Sequence, residues 1–400
     1  MWLLELILVL VTLIVAWSLH GYFVALWFVG LFRKTVPPVF PDNWPVISII
    51  VPCYNEKDHI IDKLVNTREL DYPRDKLEVV FVDGGSTDGT VSLLESEIRP
   101  DEPYRAVTSP VGGKICQINY ALPLLKGEIV VNTDTDAILD SDALKWLVAE
   151  FSGQDVAVVG AYCRPLNSLE LDMHHWDSHN KGRFLETNFW STSIVLAPCY
   201  AFRKGLIQAF PEDVVADDIH IALWASVSGF RVVLSRAAKA LETRVPIALS
   251  EFIPHKYRKA NAYLRESLRF VYLLPQMNPL TKFIFLSRML QQLLLPWALL
   301  FWFLLLGAMV TIFRVDLAIL SGLFVLTVGG MAKWIFDHVE LPDSRRNYSF
   351  GTVIKGNLIT LTILITTGFG YAWFRQDSSY SRLDTRACSR DGKDRRGAVR

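Results

Sequence analysis

The chain has 400 residues, 51% of them apolar, and its 41 Lys or Arg are balanced by 41 Asp or Glu. Zero net charge gives no electrostatic case for a nucleic-acid partner, and so apolar a composition belongs to a membrane protein or an unusually greasy enzyme. The distribution decides for a membrane protein: residues 6–32, 289–313 and 356–374 carry no formal charge, and each is long enough to cross ~30 Å of hydrocarbon.

In chain order, the first apolar segment is preceded only by Glu5, has no basic n-region and is too long for a signal peptide, so it reads as a retained anchor. Arg33 and Lys34 come next, and the positive-inside rule places the chain beyond them in the cytosol. Between this anchor and residue 288 lies mixed-polarity sequence sufficient for one soluble domain. A proline-rich lead, 35–45, is followed by a buried strand at 46–51 that exits through Pro52-Cys53-Tyr54-Asn55-Glu56. A helix runs to about Arg68. A second strand at 79–82 exits into Asp83-Gly84-Gly85-Ser86-Thr87-Asp88-Gly89, a turn whose glycines allow close backbone approach. After another helix, a strand is expected at 104–108. Gly112-Gly113-Lys114 opens a helix to Leu125, and 129–131 is the next strand. This alternation predicts a doubly wound α/β sheet.

Pro52, Asp83 and Asp134 each lie just past an apolar strand run, so a parallel sheet brings them to one edge, where such sheets bind ligands. Asp134 and Asp136, spaced i, i+2 in Asp134-Thr135-Asp136, suit a hard cation that keeps its other positions for water and substrate phosphate. The alternative is that they cap a helix at 139–151. Further on, His174, His175, Asp177 and His179 lack a third ligand at metal spacing and are expected instead to line a groove with Trp176 and Trp190. Arg258, Arg265 and Arg269 share one helical face, above an apolar set of Tyr263, Leu264, Leu268, Phe270 and Val271. That stripe reads equally as a contact for lipid phosphates or for a substrate diphosphate. The five cysteines, Cys53, Cys116, Cys163, Cys199 and Cys388, are scattered and odd in number, which argues against a disulfide framework or a zinc site.

The landmarks Pro52-Cys53-Tyr54-Asn55-Glu56, Asp83 to Thr90, Gly112-Gly113-Lys114 with Asn119, and Gly127 to Asp136 resemble, in order, those of inverting family 2 glycosyltransferases. The chain from about 46 to 270 is similar in particular to membrane-embedded synthases of the hyaluronan, chitin and cellulose type. Ala201-Phe202-Arg203-Lys204, Ala216-Asp217-Asp218, Thr243-Arg244-Val245-Pro246 and Arg265-Glu266 extend the resemblance. It implies a GT-A fold with a mostly parallel sheet, flanked by N- and C-terminal transmembrane helices. It implies a UDP-sugar donor held by Pro52, Tyr54, Glu56, Asp83, Lys114, Asp134 and Arg258, and Mg²⁺ or Mn²⁺ on Asp134 and Asp136. It further implies Asp218 as the base with Asp217 beside it, and an acceptor against Phe202, Arg203 and Trp176. A helix start favoured by the macrodipole is the other reading of Asp217-Asp218. Two departures stand out. Gly84 replaces the acidic residue usual before the Gly-Ser pair, and His255-Lys256-Tyr257-Arg258-Lys259 matches the processive Gln-Gln-x-Arg-Trp motif only at Arg258.

The expected organisation is an anchor at 1–34, a cytosolic catalytic domain at 35–254 and amphipathic interfacial helices at 255–288. Two or three C-terminal spans come next at 289–374, with 317–332 the weakest, and then a basic, disordered tail at 375–400. The expected protein sits in a plasma, inner or Golgi membrane, contacts membrane lipids, and builds a polysaccharide from a UDP-sugar. The alternatives are addition of one sugar to a lipid acceptor and, from another class, an inactive scaffold.

Overall fold

The computed structural model describes residues 2–33, 37–343 and 348–373. The tail from Arg375, with Cys388, and the residues Lys34, Thr35 and Val36 lie outside the described residues. The chain opens with the apolar helix α1 (Trp2–Gly30). An α/β region comes next as β1 (Ile47–Cys53), α2 (Ile60–Arg68), β2 (Leu77–Asp83), α3 (Thr90–Glu97), β3 (Tyr104–Thr108), α4 (Lys114–Ala121) and β4 (Ile129–Thr133). It continues through β5 (Ala137–Leu139), α5 (Ala143–Glu150), β6 (Val156–Pro165), α6 (Glu170–Phe189), β7 (Cys199–Arg203), α7 (Asp217–Val227), β8 (Arg231–Glu242) and α8 (Leu249–Arg269). Three further helices, α9 (Pro279–Thr311), α10 (Val315–His338) and α11 (Phe350–Trp373), complete the described chain.

The strands form one eight-stranded sheet in the order β3-β2-β1-β4-β7-β6-β8-β5. β1, β2 and β4 are buried on both faces, which is why they read as unbroken apolar runs. Their pairings are parallel, as expected, but β7 inserts antiparallel between β4 and β6, and β5 pairs antiparallel with β8. The sheet is therefore mixed. This insertion matters for the site because Thr133 at the end of β4 pairs with Cys199 at the start of β7, and Ala137 pairs with Glu242 at the end of β8. The segments before β7 and after β8 thus join the edge formed by the strand exits.

The expected helix over 139–151 is corrected: Ala137–Leu139 is a strand, and the helix starts only at Ala143. Asp134 and Asp136 consequently cap no helix. They occupy the turn between two strands.

Among the described residues, four helices are long and apolar enough to cross a membrane: α1, α9, α10 and Phe350–Gly370 within α11. The segment that looked weakest in sequence is an integral part of α10, whose 24 residues match α11 in length. Leu8, Val15, Leu299, Trp302, Leu305, Met309 and Val325 interlock between α1, α9 and α10. Within that apolar interior, Trp302 Nε1 donates to Thr12 Oγ1 at 3.1 Å and to Ser321 Oγ at 2.9 Å, satisfying polar groups that lipid could not. Glu5 pairs with Arg314 at one end of the bundle. At the other, Glu186 of α6 accepts from Tyr22 of α1 (2.7 Å) and Arg288 of α9 (2.6 Å), tying the α/β region to two apolar helices.

One face of α8, the helix expected at the membrane surface, packs on α7. Tyr263, Phe270 and, further along, Met277 pack on Ile219, Leu223 and Val227 of α7, and Arg269 pairs with Asp213 at 2.7 Å. Glu266, fully buried, accepts from Val215 N–H (3.2 Å) and lies 3.2 Å from His220 Nδ1. α8 is thus a clamp on the start of α7.

Gly127 precedes β4 where the chain presses against β1: a Cβ there would lie 2.4 Å from Ser48 N and 2.6 Å from the Ile47 carbonyl carbon. Gly127→Ala is expected to destabilise by about 1–3 kcal/mol through overpacking against backbone that cannot yield. The check is thermal unfolding of the purified protein in detergent; an unchanged midpoint contradicts the close approach.

Candidate active site

The site is built where β1, β2 and β4 end. Two exit loops are stitched together: Asn55 N–H donates to Ser86 Oγ (2.8 Å), Glu56 N–H to Thr90 Oγ1 (2.9 Å), Lys57 N–H to Asp88 Oδ2 (3.0 Å), and Thr87 N–H to Asn55 Oδ1 (2.8 Å). Gln117 of α4 closes the floor by donating to the carbonyls of Cys53 (2.7 Å) and Val82 (2.6 Å). Pro52 contributes its carbonyl, which accepts from Thr135 Oγ1 at 3.0 Å, while Tyr54 stands half exposed at the rim. Asp83 is buried and its carboxylate accepts from Gly85 N–H, Ser86 N–H and Ser86 Oγ. It shapes its own turn, with Gly85 in the left-handed region at φ +89°.

The carboxylates gather beside β4. Lys114, at the start of α4, lies 2.8 Å from Asp134 Oδ1 and 3.1 Å from Asp217 Oδ1, so one ammonium joins the β4 exit to the start of α7. Asp217 also accepts from Tyr200 OH (2.7 Å) and Asn132 Nδ2 (3.3 Å). Its neighbour Asp218 accepts from Ala197 N–H (3.1 Å), on the segment that β7's insertion delivers. Burial, then repulsion from Asp217, pushes the Asp218 carboxyl up to about 6. Burial also raises Asp134 and Asp136, opposed by Lys114 and Arg244 respectively. Asp134 nevertheless keeps 30% of its side-chain exposure, so it meets the cleft.

Asp136 is held from the other side. Its carbonyl accepts from Thr243 N–H (2.9 Å) and Oγ1 (2.8 Å), and its carboxylate lies 3.9 Å from Arg244 Nε. Arg244 pairs in bidentate fashion with Glu56, one bond at 2.9 Å. Beneath the turn, buried Lys63 donates to Thr133 Oγ1 (2.8 Å) and the Ala137 carbonyl (2.7 Å), and burial brings its ammonium down to about 8. Among the described residues no three His, Cys, Asp or Glu side chains form a metal cluster. Two mutually repelling carboxylates offering hard oxygens do fit a divalent cation completed by water and phosphate oxygens.

Several expected residues lie elsewhere. Phe202 is fully buried in the core beneath the sheet. Arg203 pairs in register with Ile129, at the end of β4 opposite Asp134, and donates to the carbonyls of Val156, Phe151 and Gly153. Neither lies at the edge that carries Asp134 and Asp218. Trp176 is packed in the core under Lys256 and Lys259, each 5.3 Å from its ring, and Trp190 sits under Arg231 at the far end of α6, so they line no common groove. His175 and His179 pack against each other, their rings 4.2 Å apart and tilted by 38°, and are held neutral by burial. Arg258 is half buried on α8. Lys63 and Gln117 escaped sequence reading because a lone Lys or Gln in a helix reads as solvated.

Residues 48–210 match the family model described as Glycosyl transferase family 2. The chain carries a family 2 glycosyltransferase domain. This domain is similar to an N-acetylglucosaminyltransferase of Mesorhizobium japonicum, 29% identical over 271 residues, covering 61% of this chain and 63% of that protein. Another N-acetylglucosaminyltransferase, from Neorhizobium galegae, is 27% identical, with 60% and 59% covered. The matched part thus spans about three fifths of the length of these curated relatives. A solved mannosyltransferase from Pyrobaculum calidifontis, in complex with GDP-Man and Mn²⁺, superposes with a TM-score of 0.68 at 27% identity, covering 93% of this chain and all of that one. The glycosyltransferase domain therefore has the GT-A fold, accompanied by four helices apolar enough to span a membrane.

The Glu56–Arg244 pair links the β1 exit to the β8 exit with only 7% and 16% of the two side chains exposed. Arg244→Met is expected to lower stability by about 3 kcal/mol, because it removes the guanidinium that pairs with buried Glu56. Adding Glu56→Gln should recover most of that loss. Urea unfolding of both variants checks this, and equal stability of the single variant and the parent contradicts it.

Proposed function

We propose that the protein is an inverting, metal-dependent glycosyltransferase that moves one sugar from a nucleoside diphosphate to a lipid-borne hydroxyl at the cytosolic membrane face. The observation that carries the reading is Lys114 spanning Asp134 and Asp217, which puts donor-side and acceptor-side carboxylates in one cleft. The relatives support a nucleotide-sugar donor: the Pyrobaculum protein was solved with GDP-Man and Mn²⁺, and the rhizobial ones are N-acetylglucosaminyltransferases. A UDP-sugar or a GDP-sugar fits this chemistry.

Asp134 and Asp136 would hold Mn²⁺ or Mg²⁺, which when bound neutralises charge on the departing diphosphate. Lys114 adds a fixed positive charge beside that group. Asp218 takes the proton of the acceptor hydroxyl as the new bond from that oxygen to the anomeric carbon forms and the bond to diphosphate oxygen breaks. Its place at the first turn of α7 and its hydrogen bond from Ala197 N–H fix its direction of approach. Arg244, Lys63 and Asp83 position the loops.

Two features favour a single addition over polymer growth. The ring of Trp176 is covered by Lys256 and Lys259, leaving no aromatic platform there, and the interior between α1, α9 and α10 is filled by interlocked apolar side chains. The apolar helices beside the site suit a lipid-anchored acceptor.

Asp218 must be ionised to act as base, and its raised value means that it loses its proton only near pH 6. Activity is therefore expected above that value and to fall as pH drops through it, with kcat/KM declining tenfold per pH unit on the acid side. Asp218→Asn should abolish transfer and with it the acid limb. The check is a pH profile with Mn²⁺ and a panel of radiolabelled nucleotide sugars, sizing the product. A single labelled lipid supports this reading, a long polymer replaces it with polysaccharide synthesis, and full activity of Asp218→Asn removes Asp218 as the base.

A further inference from the structure

α6 carries His175, His179, Arg183 and Glu186 at helical spacing, α8 reaches its first half through Lys256 to Asp172 and Phe252 against His175, and α11 packs across both helices. Most charges in this seam are accounted for. Lys256 pairs with buried Asp172 at 2.7 Å, and Lys259 approaches Glu242 at 3.4 Å. Glu186 is saturated by Arg288, Tyr22, Thr192 Oγ1 and the N–H and hydroxyl of Ser193.

Arg183 is the exception. Only 7% of it is exposed, yet among the described residues its guanidinium makes one hydrogen bond, to Asn180 Oδ1 at 3.3 Å on its own helix. A guanidinium has five N–H donors, and burying it without acceptors is expensive. Its other nitrogens are not among the sealed, unpartnered atoms, so they reach accessible space. Burial and then Arg288 lower it to about 10, which still leaves it cationic at neutral pH. Lys259 lies 5.3 Å over the Trp176 ring, and Trp176 precedes Arg183 by seven residues on the same face of α6; Asp218 is among the charges felt by both cations. Lys114, by contrast, lies on the donor side of the carboxylates.

We propose that Arg183, assisted by Lys259, is a binding site for the phosphate or diphosphate that joins the acceptor's sugar to its lipid. A planar guanidinium takes two phosphate oxygens at once, which matches the unused donors. Because Asp218 removes a proton from a hydroxyl, the phosphate here is a handle and the sugar hydroxyl the nucleophile. The flanking apolar helices would receive the lipid chain. This inference rests on the lipid-acceptor reading above and names the acceptor's chemical class.

The test uses the full chain in phosphatidylcholine nanodiscs with Mn²⁺ and the productive nucleotide sugar. Two acceptors share one sugar and one polyprenyl chain, joined by a diphosphate in the first and by a single ether oxygen in the second. The parent should prefer the diphosphate acceptor about tenfold or more in kcat/KM, the scale of a charge-assisted contact. Arg183→Gln and Lys259→Gln should each erode that preference through KM, with Arg183→Lys retaining part of it. Being a ratio within one preparation, the preference is insensitive to partial misfolding, and Lys259, 40% exposed, supplies a variant that folding tolerates. Equal use of both acceptors by the parent overturns the site, as does a preference that survives in both Gln variants. Loss of the preference on adding phosphatidylglycerol assigns the cations to bulk anionic lipid and overturns it too. Polymer formation with neither lipid labelled overturns the lipid-acceptor reading itself, and product size tells that failure apart.

Discussion

Everything in this protein leans on keeping Asp134, Asp136, Asp217 and Asp218 together at one sheet edge. Burial raises Asp134, Asp136 and Asp218, and repulsion adds to it, from Asp136 and Asp217 on Asp134, from Asp217 on Asp218, and from Glu242 and Glu56 on Asp136, so the arrangement holds only because cations arrive from separate elements. Lys114 comes from α4, Arg244 from beyond β8, and Lys63 from α2 beneath the turn. The fixed positive charges around these repelling carboxylates set the field of the cleft through the fold itself.

The apolar helices are coupled to that site through polar contacts rather than through a flexible tether. Arg288 and Tyr22 meet on Glu186, the same carboxylate holds Ser193, and four residues later Ala197 N–H supports Asp218. α8 adds a second connection, because Glu266 anchors the approach to α7 at Val215. Asp218 is therefore oriented from two sides, by elements that are themselves fixed to the apolar helices.

Much of the donor half was legible in the sequence. β1, β2 and β4 are buried on both faces and leave continuous apolar runs, and parallel strands expose their exits at one edge, so Pro52, Asp83 and Asp134 fall together by geometry alone. The acceptor half was legible only in part. Asp217 and Asp218 could be singled out, but β7 is buried on both faces, which keeps Phe202 in the core, and it runs antiparallel, which carries Arg203 to the opposite end of the sheet from Asp134. Trp176 misled for a related reason: an aromatic ring suited to a sugar face is equally suited to a core, and Lys256 and Lys259 settled the matter by covering it.

The sequence by itself determined the alternation of strands and helices, the apolar segments, and the acidic strand exits, since each depends on neighbours within a few residues. Tertiary structure decided the rest. Strand direction set which segments join the cleft, and long-range pairing turned single cations such as Lys63 and Arg244 into supports for the carboxylates. Burial distinguished Arg183, whose donors lack acceptors, from the paired Lys256 and Arg288 around it. Those properties belong to residues distant in the chain, and local pattern carries no record of them.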